Sequence, residues 1–180
     1  MQDYHPAIFG GIAAIEMGPT GVTRRPIGID PDELGSRIVL AYTGQSRDSG
    51  INNWEVIKRH IDGDRNVIDL FDEITDVATT MRVALETSAW KEVGQQLTRE
   101  WNLRKQLAPG LTTPMIDSLV RQGLKAGASG AKICGAGGGG CLLFLTDPSN
   151  VPSLRHALAA AGATILDVQI DVDGLQLEIP

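Results

Sequence analysis

Ala131-Lys132-Ile133-Cys134-Gly135-Ala136-Gly137-Gly138-Gly139-Gly140-Cys141-Leu142-Leu143-Phe144-Leu145-Thr146 joins two apolar runs through six residues, five of them glycine. Gly135, Gly137 and Gly140 satisfy G-x-G-x-x-G, but a dinucleotide-binding turn must open into a helix whose N-terminus receives the pyrophosphate. Here Cys141 to Leu145 follows, a short apolar run that reads as a strand. That removes the doubly wound dinucleotide fold. A Walker A loop is excluded because no G-x-x-x-x-G-K-[ST] is present, and a protein-kinase glycine loop because its H-R-D and D-F-G partners are missing. What remains is a glycine-rich connection between two strands, whose missing Cβ atoms leave backbone N–H groups open to an anion. Each such glycine costs on the order of 0.5–1 kcal/mol relative to alanine. A tight turn needs one or two of them, so this density points to a functional loop.

On the C-terminal side, Asp147 or Ser149 caps a helix that runs through Ala161 and stops at Gly162; Thr164 to Ile170 and Leu175 to Ile179 are extended around an Asp173-Gly174 turn. On the N-terminal side, Thr112 or Thr113 caps a helix with Pro114 in its first turn, and Met115, Ile116, Leu119 and Val120 form its apolar face. From about Asn52 to Ala126 the period is helical: Leu70, Ile74, Val77, Met81 and Leu85 recur at three or four, as do Trp90, Val93, Leu97 and Trp101. Arg37 to Tyr42 is a short apolar run typical of a buried strand, after the polar, linker-like Gly28 to Gly35. Ala7 to Met17 and Val22 to Ile27, joined by Gly18-Pro19-Thr20-Gly21, read as a hairpin, with a domain boundary near residue 30. Strand, helices, two strands, helix and strand in that order predict an α+β fold of ferredoxin-like type: an antiparallel sheet with a helical layer on one face.

The 180 residues, 42% apolar, suffice for one domain of ordinary size or a tight pair of small ones. A formal charge of −6 argues against a surface built to neutralise nucleic acid or anionic lipid. Cys134 and Cys141 lack CxxC spacing, and His5, His60 and His156 are scattered, so no metal site is expected. The N-terminus carries no signal-peptide pattern and no apolar run approaches membrane-spanning length, so a cytoplasmic, reduced setting is expected.

Gly127-Ala128-Ser129-Gly130-Ala131-Lys132-Ile133-Cys134 and the glycines that follow closely resemble the third signature motif of the GHMP small-molecule kinases. Tyr42-Thr43-Gly44 with Arg47, and Trp101-Asn102-Leu103-Arg104-Lys105 before Leu111-Thr112-Thr113, look like the sugar-kinase branch, and in it the D-glycero-D-manno-heptose phosphate kinases. In that branch a Gly-x-Gln-Asp segment followed by Phe-Gly-Gly carries the aspartate that faces the acceptor hydroxyl; Gln2-Asp3 and Phe9-Gly10-Gly11 match it. The resemblance therefore implies Asp3 as catalytic base, and a carboxylate there can accept the hydroxyl proton during phosphoryl transfer. It implies that Gly135, Ala136, Gly137, Gly138, Gly139 and Gly140 line the active site, and that Thr43, Gly44 and Arg47 border the sugar pocket. Arg47 would meet an acceptor phosphate by a forked contact. Lys132 is expected to serve structure or general field, and Arg104 to pair with Glu100. ATP and Mg2+ are the implied cofactors, and a sugar or sugar phosphate the implied partner.

One departure stands beside this match. The family resembles itself in a second motif, Pro-x-x-x-Gly-Leu-Gly-Ser-Ser, that holds the ATP phosphates, and nothing like it occurs here. Residues 1–30 thus resemble a remnant hairpin of the N-terminal kinase domain, and 31–180 the C-terminal domain. The expectations are little kinase activity for the chain alone, and self-association through an apolar hairpin edge or pairing with a missing N-terminal domain. The competing expectation is a non-catalytic ligand-binding or assembly module that keeps the fold.

Overall fold

A computed structural model describes residues 4–45 and 50–177, with the backbone alone at 50–52. In chain order its elements are α1 (Tyr4–Phe9), β1 (Ala13–Gly18), β2 (Gly21–Pro26), α2 (Pro31–Gly35), β3 (Ile38–Tyr42), α3 (Gly50–Ile61), α4 (Arg65–Glu86), α5 (Trp90–Arg104), α6 (Pro114–Lys125), β4 (Ala128–Ile133), β5 (Cys141–Thr146), α7 (Val151–Ala160) and β6 (Thr164–Leu166). β3 to β6 form one antiparallel sheet in the order β4-β5-β3-β6, while β1 and β2 pair as a separate hairpin. That order, with helices between the first and second strands and between the third and fourth, is the ferredoxin-like arrangement expected from the sequence.

Register divides the sheet residues between two faces. Leu142 sits opposite Ala41 and Ile133, and Phe144 opposite Val39 and Ala131, so these six share a face. Ile116 and Leu119 of α6 and Leu154 and Leu158 of α7 cover it, all fully buried. On the other face Ile38, Leu143 and Leu145 meet Ala84 of α4 and Val93 and Leu97 of α5. Helices therefore lie on both faces, where the sequence reading placed them on one. The cause is visible in β5: Leu142-Leu143-Phe144-Leu145 does not alternate, and an unbroken apolar strand needs cover on both sides. A third cluster joins Val56 of α3, Val67, Leu70 and Val77 of α4, and Leu103 of α5 to Leu107 and Leu111 in the loop before α6.

Two glycines let the helices seat closely. A Cβ on Gly123 of α6 would lie 2.3 Å from the Phe144 ring, and one on Gly130 of β4 only 2.1 Å from the Gly94 carbonyl oxygen of α5. Caps follow the sequence signals: Thr113 Oγ1 accepts the Ile116 N–H at 3.2 Å, and Asp147 Oδ1 accepts the Ser149 N–H at 3.0 Å, ahead of a short 3-10 turn that leads into α7. Asp64 Oδ1 accepts from Asn66 and Val67 at the start of α4.

Three local expectations are corrected. Residues 7–9 of the expected hairpin belong instead to the helix α1, so the hairpin begins at Ala13. Within the linker, Asp30 caps the one-turn α2 by accepting the Asp32 N–H at 2.9 Å. Past Leu166, no strand follows among the described residues; Asp171 and Leu175 instead bond to the loop after α1 and to Ile8 of α1.

The hydrogen bond from Arg59 holds the Asp64 carboxyl below its ordinary range, with desolvation opposing and the Val67 and Asn66 amides assisting. A folded-state value below the unfolded one stabilises the fold above the unfolded pKa and is lost as pH falls through the folded value. The thermal midpoint is therefore expected to fall on acidification below about pH 4, the usual carboxylate range. Asp64→Asn should flatten part of that fall in a pH series followed by circular dichroism.

Candidate functional site

The glycine loop leaves β4 at Cys134 and re-enters the sheet at Cys141, whose carbonyl accepts the Cys134 N–H at 2.7 Å. Gly135, Gly137, Gly138 and Gly140 have φ of 70°, 77°, 76° and 88°, the left-handed region where a side chain is strained. The loop rests on two neighbours. Gly138 N–H donates to the Leu111 carbonyl at 2.7 Å, Gly140 N–H to the Gln45 carbonyl at 2.8 Å, and Thr43 N–H returns to the Gly140 carbonyl at 2.9 Å. Gly137 lies so close to the first support that a Cβ would come within 2.6 Å of the Leu111 carbonyl oxygen. Among the described residues, the N–H groups of Ala136 and Gly139 take no backbone acceptor. The loop is thus a docked strap with some of its amides left over, which is the arrangement an anion-binding backbone needs.

Of the residues singled out from the sequence, Thr43 and Gly44 lie at this strap. Thr43 is buried, its Oγ1 accepts the Gln45 N–H at 3.4 Å, and Gly44 turns the chain with φ of 76°. Asp3 and Arg47 lie outside the described residues. The helix after Asp3 is nevertheless anchored. Gly11 N–H donates to the Asp171 carbonyl at 2.8 Å, Leu175 N–H to the Ile8 carbonyl at 3.1 Å, and Arg24 Nη2 to the Gly10 carbonyl at 2.7 Å. Gly10 is buried where two backbones cross: a Cβ there would fall 2.6 Å from the Gly174 nitrogen. The Phe9-Gly10-Gly11 segment therefore has a packing reason of its own, since it ties the start of the chain to residues 171–175.

Beside the loop, Glu100 of α5 is buried and holds two cations. Its Oε1 accepts from Arg104 Nε at 2.6 Å, and its Oε2 lies 2.9 Å from Lys132 Nζ of β4. The Arg104 pairing matches the i,i+4 expectation; the Lys132 contact crosses from helix to sheet and gives this lysine a structural partner. Lys132 and Arg104 keep about a quarter to a third of their side-chain exposure. Glu100→Ala is therefore expected to cost about 1–2 kcal/mol rather than the roughly 3–5 of a fully buried pair. Urea titration checks this, and adding Lys132→Ala should cost little more, since their shared contact is already gone. Desolvation, then the neighbouring Cys141, raises the Cys134 thiol, against a smaller lowering by Lys132. Both cysteines are free.

Two supports of the loop, the carbonyls of Leu111 and Gln45, were not read as such from the sequence, where Leu111 stands only in a family-like segment. Every residue carries a carbonyl, so no side-chain identity announces such a role. The Glu100–Lys132 pair, 32 positions apart in the chain, likewise leaves no local spacing to read.

Residues 81–164 match the family of GHMP kinases C terminal. The chain carries a GHMP kinase C-terminal domain. It is 32% identical over 127 residues to the bifunctional fucokinase/GDP-fucose pyrophosphorylase of Arabidopsis thaliana, covering 70% of this chain and 12% of that protein. It is 26% identical over 179 residues to the D-glycero-alpha-D-manno-heptose 7-phosphate kinase of Campylobacter jejuni, covering 97% of this chain and 52% of the kinase. Among solved structures, L. major mevalonate kinase in complex with R-mevalonate superposes with a TM-score of 0.76 at 21% identity, over 92% of this chain and 50% of that one, a likeness of fold. The chain thus spans about half the length of the heptose kinase and an eighth of the plant enzyme. No helix among the described residues is long and apolar enough to cross a membrane.

Proposed function

We propose that this chain supplies the acceptor-side portion of an ATP-dependent sugar kinase, passing the γ-phosphoryl group of ATP to a sugar hydroxyl, with heptose 7-phosphate as the preferred acceptor. The observation that carries the reading is the docked glycine strap, which bonds to Thr43 and Gln45 on either side of Gly44 and has amides to spare for an anion. The alignment with the heptose kinase, over 97% of this chain and 52% of that protein, supports the acceptor.

In this reading Asp3 takes the acceptor hydroxyl proton, and Thr43, Gly44 and Arg47 border the sugar, with the Arg47 guanidinium facing its phosphate. Gly135 to Gly140 present backbone N–H groups to the phosphates and exclude water from that side. ATP, when bound, supplies the phosphoryl group; the spare Ala136 and Gly139 amides fit its charge. Mg2+ would come with the nucleotide, held by its phosphates and at most one or two carboxylates; the described residues gather no all-protein site for it. The triphosphate grip comes from a further segment of the GHMP type, acting with this chain in a cytoplasmic enzyme.

The test is ADP release with heptose 7-phosphate, fucose, galactose and mevalonate. The chain alone is expected to give little turnover. Joined to the N-terminal half of the heptose kinase relative, it should turn over heptose 7-phosphate at a rate well above mevalonate. Robust turnover by the chain alone would remove the need for a second segment. Sugar binding by calorimetry without turnover in the joined protein would favour the binding-module alternative.

A further inference from the structure

Cys134 and Cys141 face each other across the neck of the glycine loop. Ile133 and Leu142 are the last registered pair of β4 and β5, and the next residues outward are the two cysteines, linked by the 2.7 Å bond from Cys134 N–H to the Cys141 carbonyl. Strand alternation puts Cys134 on the face of Lys132, and register puts Cys141 on the face of Tyr42 and Leu143, which is the same face. In a hydrogen-bonded antiparallel pair the Cα atoms stand about 5.5 Å apart. Disulfides span roughly 4.4–6.8 Å between Cα atoms.

We propose that Cys134 and Cys141 form a reversible cross-strand disulfide that closes the neck of the glycine loop. Cys134 is exposed and Cys141 half-buried, so an external reagent meets Cys134 first and Cys141 stands behind it to resolve. The Cβ atoms of such a strand pair are up to about 5.5 Å apart, wider than the roughly 3.8 Å mean of a disulfide, so the neck must narrow. The loop side can yield: a Cβ on Gly135 would meet nothing within 4 Å. Because Gly138 and Gly140 hang the strap on Leu111 and Gln45, narrowing the neck re-seats both contacts. A bond formed with that strain is easily reduced, which suits a switch rather than a permanent staple.

The oxidant is a low-molecular-weight disulfide of the glutathione class. The Cys134 thiolate attacks one of its sulfurs, forming a mixed disulfide and expelling the first thiolate. The Cys141 thiolate then attacks the Cys134 sulfur and expels the second. The two leaving thiolates take up the two protons given up by the cysteines, so two protein thiols are oxidised and one external disulfide is reduced to two thiols. The inference does not depend on the kinase reading.

Native full-length chain is incubated with glutathione disulfide, blocked by alkylation and digested with trypsin. No Lys or Arg separates the cysteines, so both fall in the peptide from Ile133 to Arg155. That peptide is expected to be two hydrogens lighter and free of glutathione, to regain them with dithiothreitol, and to come from monomer on a non-reducing gel. Exchange of the Gly138 and Gly140 amides should change on oxidation and revert on reduction, and Cys141→Ser should retain glutathione on Cys134. A lasting glutathione adduct in the unmodified chain, two thiols still open to alkylation, or cross-linked dimers alone would each overturn the proposal. The unmodified chain is the principal sample, so no variant has to fold for it to fail.

Discussion

Gly130→Ala is expected to lower the free energy of unfolding by about 3 kcal/mol, the upper end of ordinary overpacking. The added Cβ would stand 2.1 Å from the Gly94 carbonyl oxygen and 2.9 Å from its Cα. Both partners are backbone, so no rotamer change relieves the clash, and α5 must lift from β4. Lifting it takes Val93 and Leu97 away from Leu145 and stretches the 2.9 Å contact between Lys132 and Glu100. One alanine thus strains a helix–sheet seam rather than a single pair. Urea unfolding measures the change as a lower midpoint at constant slope. Gly28→Ala is the control, since a Cβ there would have nothing within 4 Å. A Gly130→Ala chain as stable as that control would show that the α5–β4 approach is looser than described.

Gly137→Ala is expected to dislodge the glycine strap. Its φ of 77° costs an L-residue about 1–2 kcal/mol. Its Cβ would also press within 2.6 Å of the Leu111 carbonyl oxygen, the atom that accepts the Gly138 N–H. Strain and lost docking act together, so the loop leaves its support while the clusters on the two sheet faces, which do not include Leu111, stay folded. ADP release by the joined kinase should then fall about a hundredfold, the usual loss when a positioning group moves by an ångström. Gly135→Ala separates the two causes. It has the same left-handed backbone but open space around its Cβ, so it should cost only the conformational part and keep most of the turnover. Equal losses for both would mean that conformation, not contact with Leu111, governs the loop.

Much of the fold was legible because its signals are local. The apolar run from Cys141 to Leu145, with no helix after the glycines, excluded the dinucleotide fold; Thr112 or Thr113 before Pro114 marked α6, and Asp147 or Ser149 the helix that is α7. Helices of five or six residues were harder. α1 and α2 bury no residue fully, so they have no stripe to read. For the candidate site, the glycine loop and the Thr43-Gly44 turn were visible as residue types. The meeting of that loop with Leu111 and Gln45 was not, because the bonds join carbonyls and amides from segments far apart in the chain. Asp3 and Arg47 remain assignments by resemblance, outside the described residues.

By itself the sequence determined the order of strands and helices within the four-stranded core, the ferredoxin-like class and the family likeness, since periodicity, caps and glycine spacing are written along a single segment. Tertiary structure alone decided which strand face each helix covers, which glycines are obligatory and where the strap is tied. Those outcomes depend on backbones that meet only after the chain has closed on itself, and Gly130 against Gly94 and Gly137 against Leu111, where an added Cβ would have no room, are the places in which that difference is most direct.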